Sequence, residues 1–99
     1  MAASEDRCPT HPGAMLRDIV LPALDATAAQ VATALGVSRQ KLHDIVTEKQ
    51  PVTPQMAVRL GAVFGSSAES WLRMQTAYDL WHAERAVDTS GMPKLKAAS

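Results

Sequence analysis

Residues 27–47, T-A-A-Q-V-A-T-A-L-G-V-S-R-Q-K-L-H-D-I-V-T, constrain this chain more than any other stretch. They read as two short helices, 28–34 and 38–46, separated by Gly36. Glycine is the residue best able to take a positive φ in a tight turn. Ala32 is small where two helices must cross closely. Leu42 and Ile45 stand three apart and so share one side of the second helix. Val31, Leu35 and Val37 supply apolar groups around the crossing. This is the pattern of a helix-turn-helix, whose second helix enters the DNA major groove. A helical hairpin of purely structural use would reproduce part of it.

The rest of the chain reads as helices that carry this unit. His11-Pro12-Gly13 opens a first helix, with Pro in the first turn, where its missing N–H is not needed. Met15, Leu16, Ile19 and Val20 form its apolar stripe. Pro22 disfavours helical geometry at Leu21 and is expected to end the helix there. Leu24 is expected to plug the connection into the core. Thr27 is a candidate N-cap, with Gln30 completing a capping box, and Ser38 caps the following helix. Residues 48–51 form a polar loop. Thr53 and Pro54 start a fourth helix, with Met56, Ala57, Leu60, Val63 and Phe64 on its buried face and Gly65 as its stop. A fifth helix begins near Ser67 and runs to about Ala86. The expected organisation is a flexible N-terminus at 1–10, one all-α domain at 11–86 and a flexible polar tail at 87–99.

The fifth helix carries Trp71, Met74, Tyr78 and Trp81 in a heptad-like seam, with Leu72, Ala77 and Leu80 off it. A second subunit covering one of these two faces would keep large aromatics out of water. Tyr78 and Trp81 are then the expected dimer contacts. The alternative is that both faces are buried within one chain.

Charge is balanced, with 10 basic and 10 acidic residues, so the total does not announce nucleic acid. The segment 27–59 is more telling. It carries Arg39, Lys41, Lys49 and Arg59 against Asp44 and Glu48, a net of +2. The one cysteine, Cys8, fits a reducing, cytoplasmic setting. No apolar run reaches a membrane span of roughly 20 residues, and the polar, acidic start is unlike a signal peptide. His11, His43 and His82 lack cysteine or carboxylate partners at metal-ligand spacing, so neither a metal nor another cofactor is expected. Ser38 and Lys41 match S-x-x-K, a nucleophile motif in penicillin-binding enzymes. Its partner motifs are missing and the chain is too small for that fold, so no enzyme is expected.

H-P-G at 11–13, A-L-G-V-S-R-Q at 34–40, I-V at 45–46, T-P-Q-M-A-V-R-L at 53–60, F-G at 64–65 and W-L-R-M-Q-T-A-Y-D-L-W at 71–81 resemble the HigA-type antitoxins of the Xre/Cro-like helix-turn-helix superfamily. The resemblance covers about 11–84, and the H-P-G opening with the A-Y-D-L-W ending is its most specific part. It implies a five-helix Cro-like domain that forms a homodimer and binds a palindromic operator to repress its own operon. It also implies a partner resembling the HigB toxin, a ribosome-dependent mRNA endonuclease held inactive by the antitoxin. By match to the superfamily motif, Arg39, Gln40 and His43 or Asp44 face base edges. Arg39 suits guanine and Gln40 adenine. Asp44 either accepts from cytosine N4 or pairs with Lys41, the reading favoured here. Lys41 and Lys49 are phosphate candidates, as are the helix starts at Thr27 and Ser38.

Two positions depart from the family pattern. Where members carry an N-G-K-like run after the second motif helix, this chain has Thr47-Glu48-Lys49. Where a polar residue often opens the first motif helix, it has Ala28. Both bear on operator affinity rather than on fold. A stand-alone regulator of the same fold without a toxin is the alternative reading. A helical interaction module that does not bind DNA is a third.

Overall fold

The computed structural model describes residues 7–98, and among these every regular element is helical. The first helix, α1, starts at Pro12–Met15. His11 caps it, its Nδ1 accepting from the Gly13 N–H at 2.8 Å. The helical path then widens into a π turn, Leu16–Val20, and tightens into a 3-10 turn, Leu21–Ala23. Pro22 therefore does not stop the helix at Leu21, as expected from sequence. Pro22 lies in the opening positions of the 3-10 turn, where its lack of an N–H costs nothing, and Leu21 keeps helical angles of φ −63°, ψ −42°.

The π turn also displaces the apolar stripe. With i→i+5 spacing, Leu16, Val20 and Leu21 turn inward, and Leu16 is fully buried. Ile19, expected in the stripe, is 62% exposed, and Leu24, expected as a plug, is 37% exposed.

Helix α2, Ala28–Leu35, begins with a complete capping box. The Gln30 N–H donates to Thr27 Oγ1 at 3.1 Å, and the Thr27 N–H donates to Gln30 Oε1 at 2.8 Å. It ends at Gly36, which takes the left-handed conformation at φ 73°. Helix α3, Arg39–Val46, follows at once, with Ser38 Oγ accepting from the Lys41 N–H at 3.0 Å. Helix α4, Pro54–Phe64, is capped by Thr53 and stops at Gly65. Val63 proves 38% exposed rather than core, and Phe64 is half-buried in its place. The stripe follows Met56, Ala57, Leu60 and Phe64, and Val63 falls at its margin. Helix α5, Ala68–Ala86, packs most extensively against α4.

The core gathers Leu16, Val31, Ala32, Leu35, Leu42, Ile45, Val52, Met56, Ala57, Leu60 and Trp71. Ala32 sits at the α2–α3 crossing and is buried, as its size requires. Trp71 anchors α5 and donates from its indole N–H to Ser66 Oγ at 2.7 Å. Gln75, a buried amide, accepts from the Val52 N–H at 2.7 Å and donates to Asp79 at 2.9 Å. A buried polar group of this kind is tolerated because it is bonded on both sides.

The second face of α5 is partly covered from within the chain. Tyr78 is half-buried and meets the His11 ring edge-on, centroids 4.8 Å apart. The Arg85 guanidinium lies 3.6 Å from the centroid of the half-buried Trp81. Cys8 is half-buried too, its Sγ 3.6 Å from His82 Nε2. Of the N-terminal segment read as flexible, residues 1–6 lie outside the described residues, and Cys8 and Pro9 lie half-buried. Residues 87–98 contain no helix and are exposed along their length. No single helix among the described residues is long and apolar enough to cross a membrane.

Candidate nucleic-acid interface

The face presented by α3 is built by contacts from behind. Leu42 and Ile45, 2% and 0% exposed, root the helix in the core. Gly13 lets α1 press against the last turn of α3, since a Cβ at this position would fall on the Ile45 carbonyl oxygen. The H-P-G motif thus has a local cause. The histidine caps, the proline opens the turn, and the glycine permits contact between two backbones.

Two arginines from other helices hold the ends of the motif. Arg59 of α4 donates to the Leu35 carbonyl at 2.9 Å and to the Gly36 carbonyl at 3.4 Å, closing α2 at the turn. Arg59 is one of the four cations that give the segment 27–59 its net positive charge. Its guanidinium satisfies helix-end carbonyls, which a cation does well. Arg17 of α1 donates to the Val46 carbonyl at the end of α3, 2.9 Å, while its Nε pairs with Asp18 at 2.8 Å. The Arg17 guanidinium holds the Asp18 carboxyl below the usual carboxylate range. Neither arginine was assigned this role from sequence, because no local pattern links them to the motif.

The loop after α3 turns without a glycine. Glu48 itself takes the left-handed conformation, φ 66°. Its carboxylate turns back to Arg17 Nη1 at 3.3 Å, so part of its negative charge is offset on the spot. The Lys49 and Gln50 N–H groups both return to the Asp44 carbonyl, at 2.8 and 3.0 Å, which closes the turn.

Arg39, Gln40 and His43 are exposed. Together with Leu21, Ala28, Leu42 and Val46 they line one cleft between the end of α1, the start of α2 and α3. Lys41 and Lys49 lie outside this cleft, Lys41 half-buried and Lys49 exposed on the loop. The Thr27 and Ser38 hydroxyls are engaged as caps, accepting from N–H groups of their own helices. Asp44 differs from its favoured reading. It makes no ion pair with Lys41 among the described residues, and its Oδ1 accepts from Gln40 Nε2 at 2.8 Å. The i,i+4 neighbour on its own face takes the place expected for the i,i+3 lysine.

His11 lies behind this face, 4% exposed. Burial holds its pKa below the ordinary histidine value, with Arg17 adding in the same direction and Glu48 and Asp79 pulling the other way. Its Nδ1 must stay unprotonated to accept from Gly13.

Two helices joined by a left-handed glycine turn, the second exposing a polar N-terminal half over an apolar root, define a helix-turn-helix protein. No protein-family model matches the chain. It is 45% identical to virulence-associated protein I of Dichelobacter nodosus over 75 residues, 76% of this chain and 69% of the relative. It is 33% identical to antitoxin HigA-1 of Vibrio cholerae over 75 residues, 76% of this chain and 70% of that protein. A solved structure of the Pseudomonas aeruginosa antitoxin HigA with the higBA promoter superposes with a TM-score of 0.74 at 42% identity, covering 79% of this chain and 85% of that one. The chain belongs to the HigA family of helix-turn-helix antitoxins.

Proposed function

We propose that this protein is a cytoplasmic antitoxin that binds a palindromic operator as a homodimer, represses its own operon and neutralises a HigB-like, ribosome-dependent mRNA endonuclease. The observation that carries the DNA reading is the cleft that brings Arg39, Gln40 and His43 together at the exposed start of α3. The donors of Arg39 suit guanine, and the amide of Gln40 suits adenine. Lys41 and Lys49, on the flanks, position the domain on phosphates without specifying sequence. The homodimer contact includes part of residues 71–81. Leu80, 54% exposed, and the uncovered parts of Tyr78 and Trp81 are its surface.

Binding to duplexes selected from a randomised pool tests the DNA reading. Arg39→Ala is expected to weaken selected-site binding by roughly 1–3 kcal/mol and relax its sequence preference. Lys49→Ala is expected to weaken all sequences evenly and lower the salt slope by about one unit. An unchanged preference in Arg39→Ala would overturn the groove assignment. Sedimentation tests the dimer: a wild-type monomer at tens of micromolar would remove it. Co-purification with the product of an adjacent gene, and relief of that product's toxicity, test the antitoxin role. Failure of both leaves a stand-alone regulator.

A further inference from the structure

We infer that Asp44 is a positioning residue for base readout: it fixes the orientation of the Gln40 side-chain amide before DNA arrives. The inference rests on the operator-binding reading above. Gln40 Nε2 donates to Asp44 Oδ1 at 2.8 Å, across one turn of α3. An ionised carboxylate only accepts, so the amide nitrogen, not the oxygen, must face it. Oε1 and the second N–H are left for a base edge. That pair matches adenine, whose N6 donates and N7 accepts. A flipped amide presents its donors elsewhere and matches guanine, whose N7 and O6 both accept.

Asp44 is suited to this role by its own restraint. It is half-buried, and its backbone carbonyl receives the Lys49 and Gln50 N–H groups at 2.8 and 3.0 Å. Its residue is thus part of the closed turn that ends α3. No ion pair with Lys41 competes for the carboxylate among the described residues. Ordering Gln40 before binding also lowers the side-chain entropy lost at the interface.

The test is selection from a pool of duplexes with a randomised core, carried out with wild type, Gln40→Ala, Asp44→Ala, Asp44→Asn and the double alanine variant. Thermal melts establish that each is folded. Wild type is expected to enrich adenine at the position read by Gln40. Asp44→Ala is expected to lose about tenfold in adenine-over-guanine discrimination at that same position, with preferences elsewhere retained. The double variant should lose no more than Gln40→Ala alone, and Asp44→Asn, which keeps an acceptor, should restore much of the preference. Unchanged adenine preference in Asp44→Ala would overturn the inference. So would loss of a cytosine preference at a different position, which would make Asp44 a base reader itself. Wild type enriching no sequence would instead overturn the operator-binding reading, and this inference with it.

Discussion

Gly13→Ala isolates the contact between α1 and the recognition helix. The added methyl would land on the Ile45 carbonyl oxygen, and the next atom it meets is the Ile45 carbonyl carbon at 2.8 Å. Both obstacles are backbone, so no side-chain rotamer can relieve them. Either α1 backs away or the last turn of α3 is pushed out. The first loosens Leu16, fully buried beneath α1, and the second loosens Ile45, also fully buried. Overpacking of this kind costs about 1–3 kcal/mol. Alanine's better helix propensity returns at most about 1 kcal/mol. A net loss near 1–2 kcal/mol is expected, and at about 4–8 °C per kcal/mol for a domain this size the melting temperature should fall visibly. Far-UV circular dichroism melts of wild type, Gly13→Ala and Gly91→Ala provide the assay. Gly91 has open space around it, so its variant reports the general effect of a methyl and should melt like wild type. If Gly13→Ala did so as well, the close approach of the two backbones would be refuted.

Other substitutions probe the remaining supports. Leu42→Ala should cost about 2–5 kcal/mol by emptying the space beneath α3, and an unchanged melt would place Leu42 on the solvent side. Because burial lowers the folded-state pKa of His11, the unfolded chain binds its proton first as pH falls. Stability is therefore expected to be unaffected by His11 above pH about 6.5 and to drop below it until the folded-state pKa is reached. His11→Asn, which keeps an acceptor for the Gly13 N–H, should show a shallower fall in melting temperature between pH 7 and 5; equal slopes would assign the effect to other groups. Glu48→Gly should stay within about 1 kcal/mol of wild type, since relief of left-handed strain and a looser unfolded chain oppose each other. The same variant should bind duplex DNA of any sequence more tightly, because a negative charge leaves the loop beside Lys49. Weaker binding, read by fluorescence anisotropy at two salt concentrations, would mean that the Arg17 contact outweighs the charge.

What was legible in the sequence was local. Thr27 with Gln30, Ser38, Thr53 and the glycines at 36 and 65 all act within four residues of themselves, and each took its expected place. The apolar periods of α2, α3 and α4 identified most of the core for the same reason. Legibility ended where a π turn changed the period, which sent Ile19 outward and made Leu24 a surface residue. Contacts across the chain were equally hidden. Nothing in their local sequence marks Arg17, Arg59 or Gln75 as partners of backbone groups; the fold sets carbonyls and an N–H beside them. In the candidate site, Arg39, Gln40 and His43 are exposed while Lys41 and Asp44 are half-buried, and the partner of Asp44 depends on which neighbour its rotamer meets.

The Arg59 contact is also expected to couple the unfolding of α2 to that of α4. The carbonyls of Leu35 and Gly36 receive a donor from α4 rather than from their own segment. Opening the turn therefore strips Arg59 of its acceptors, and fraying α4 leaves the Leu35 and Gly36 carbonyls without that donor. Amide hydrogens of Gly36 and Val37, bonded to Thr33 and Ala32, should then exchange with solvent at rates matching those in the middle of α4. Such a cooperative unit would deny proteases a cut at the turn until both helices let go together.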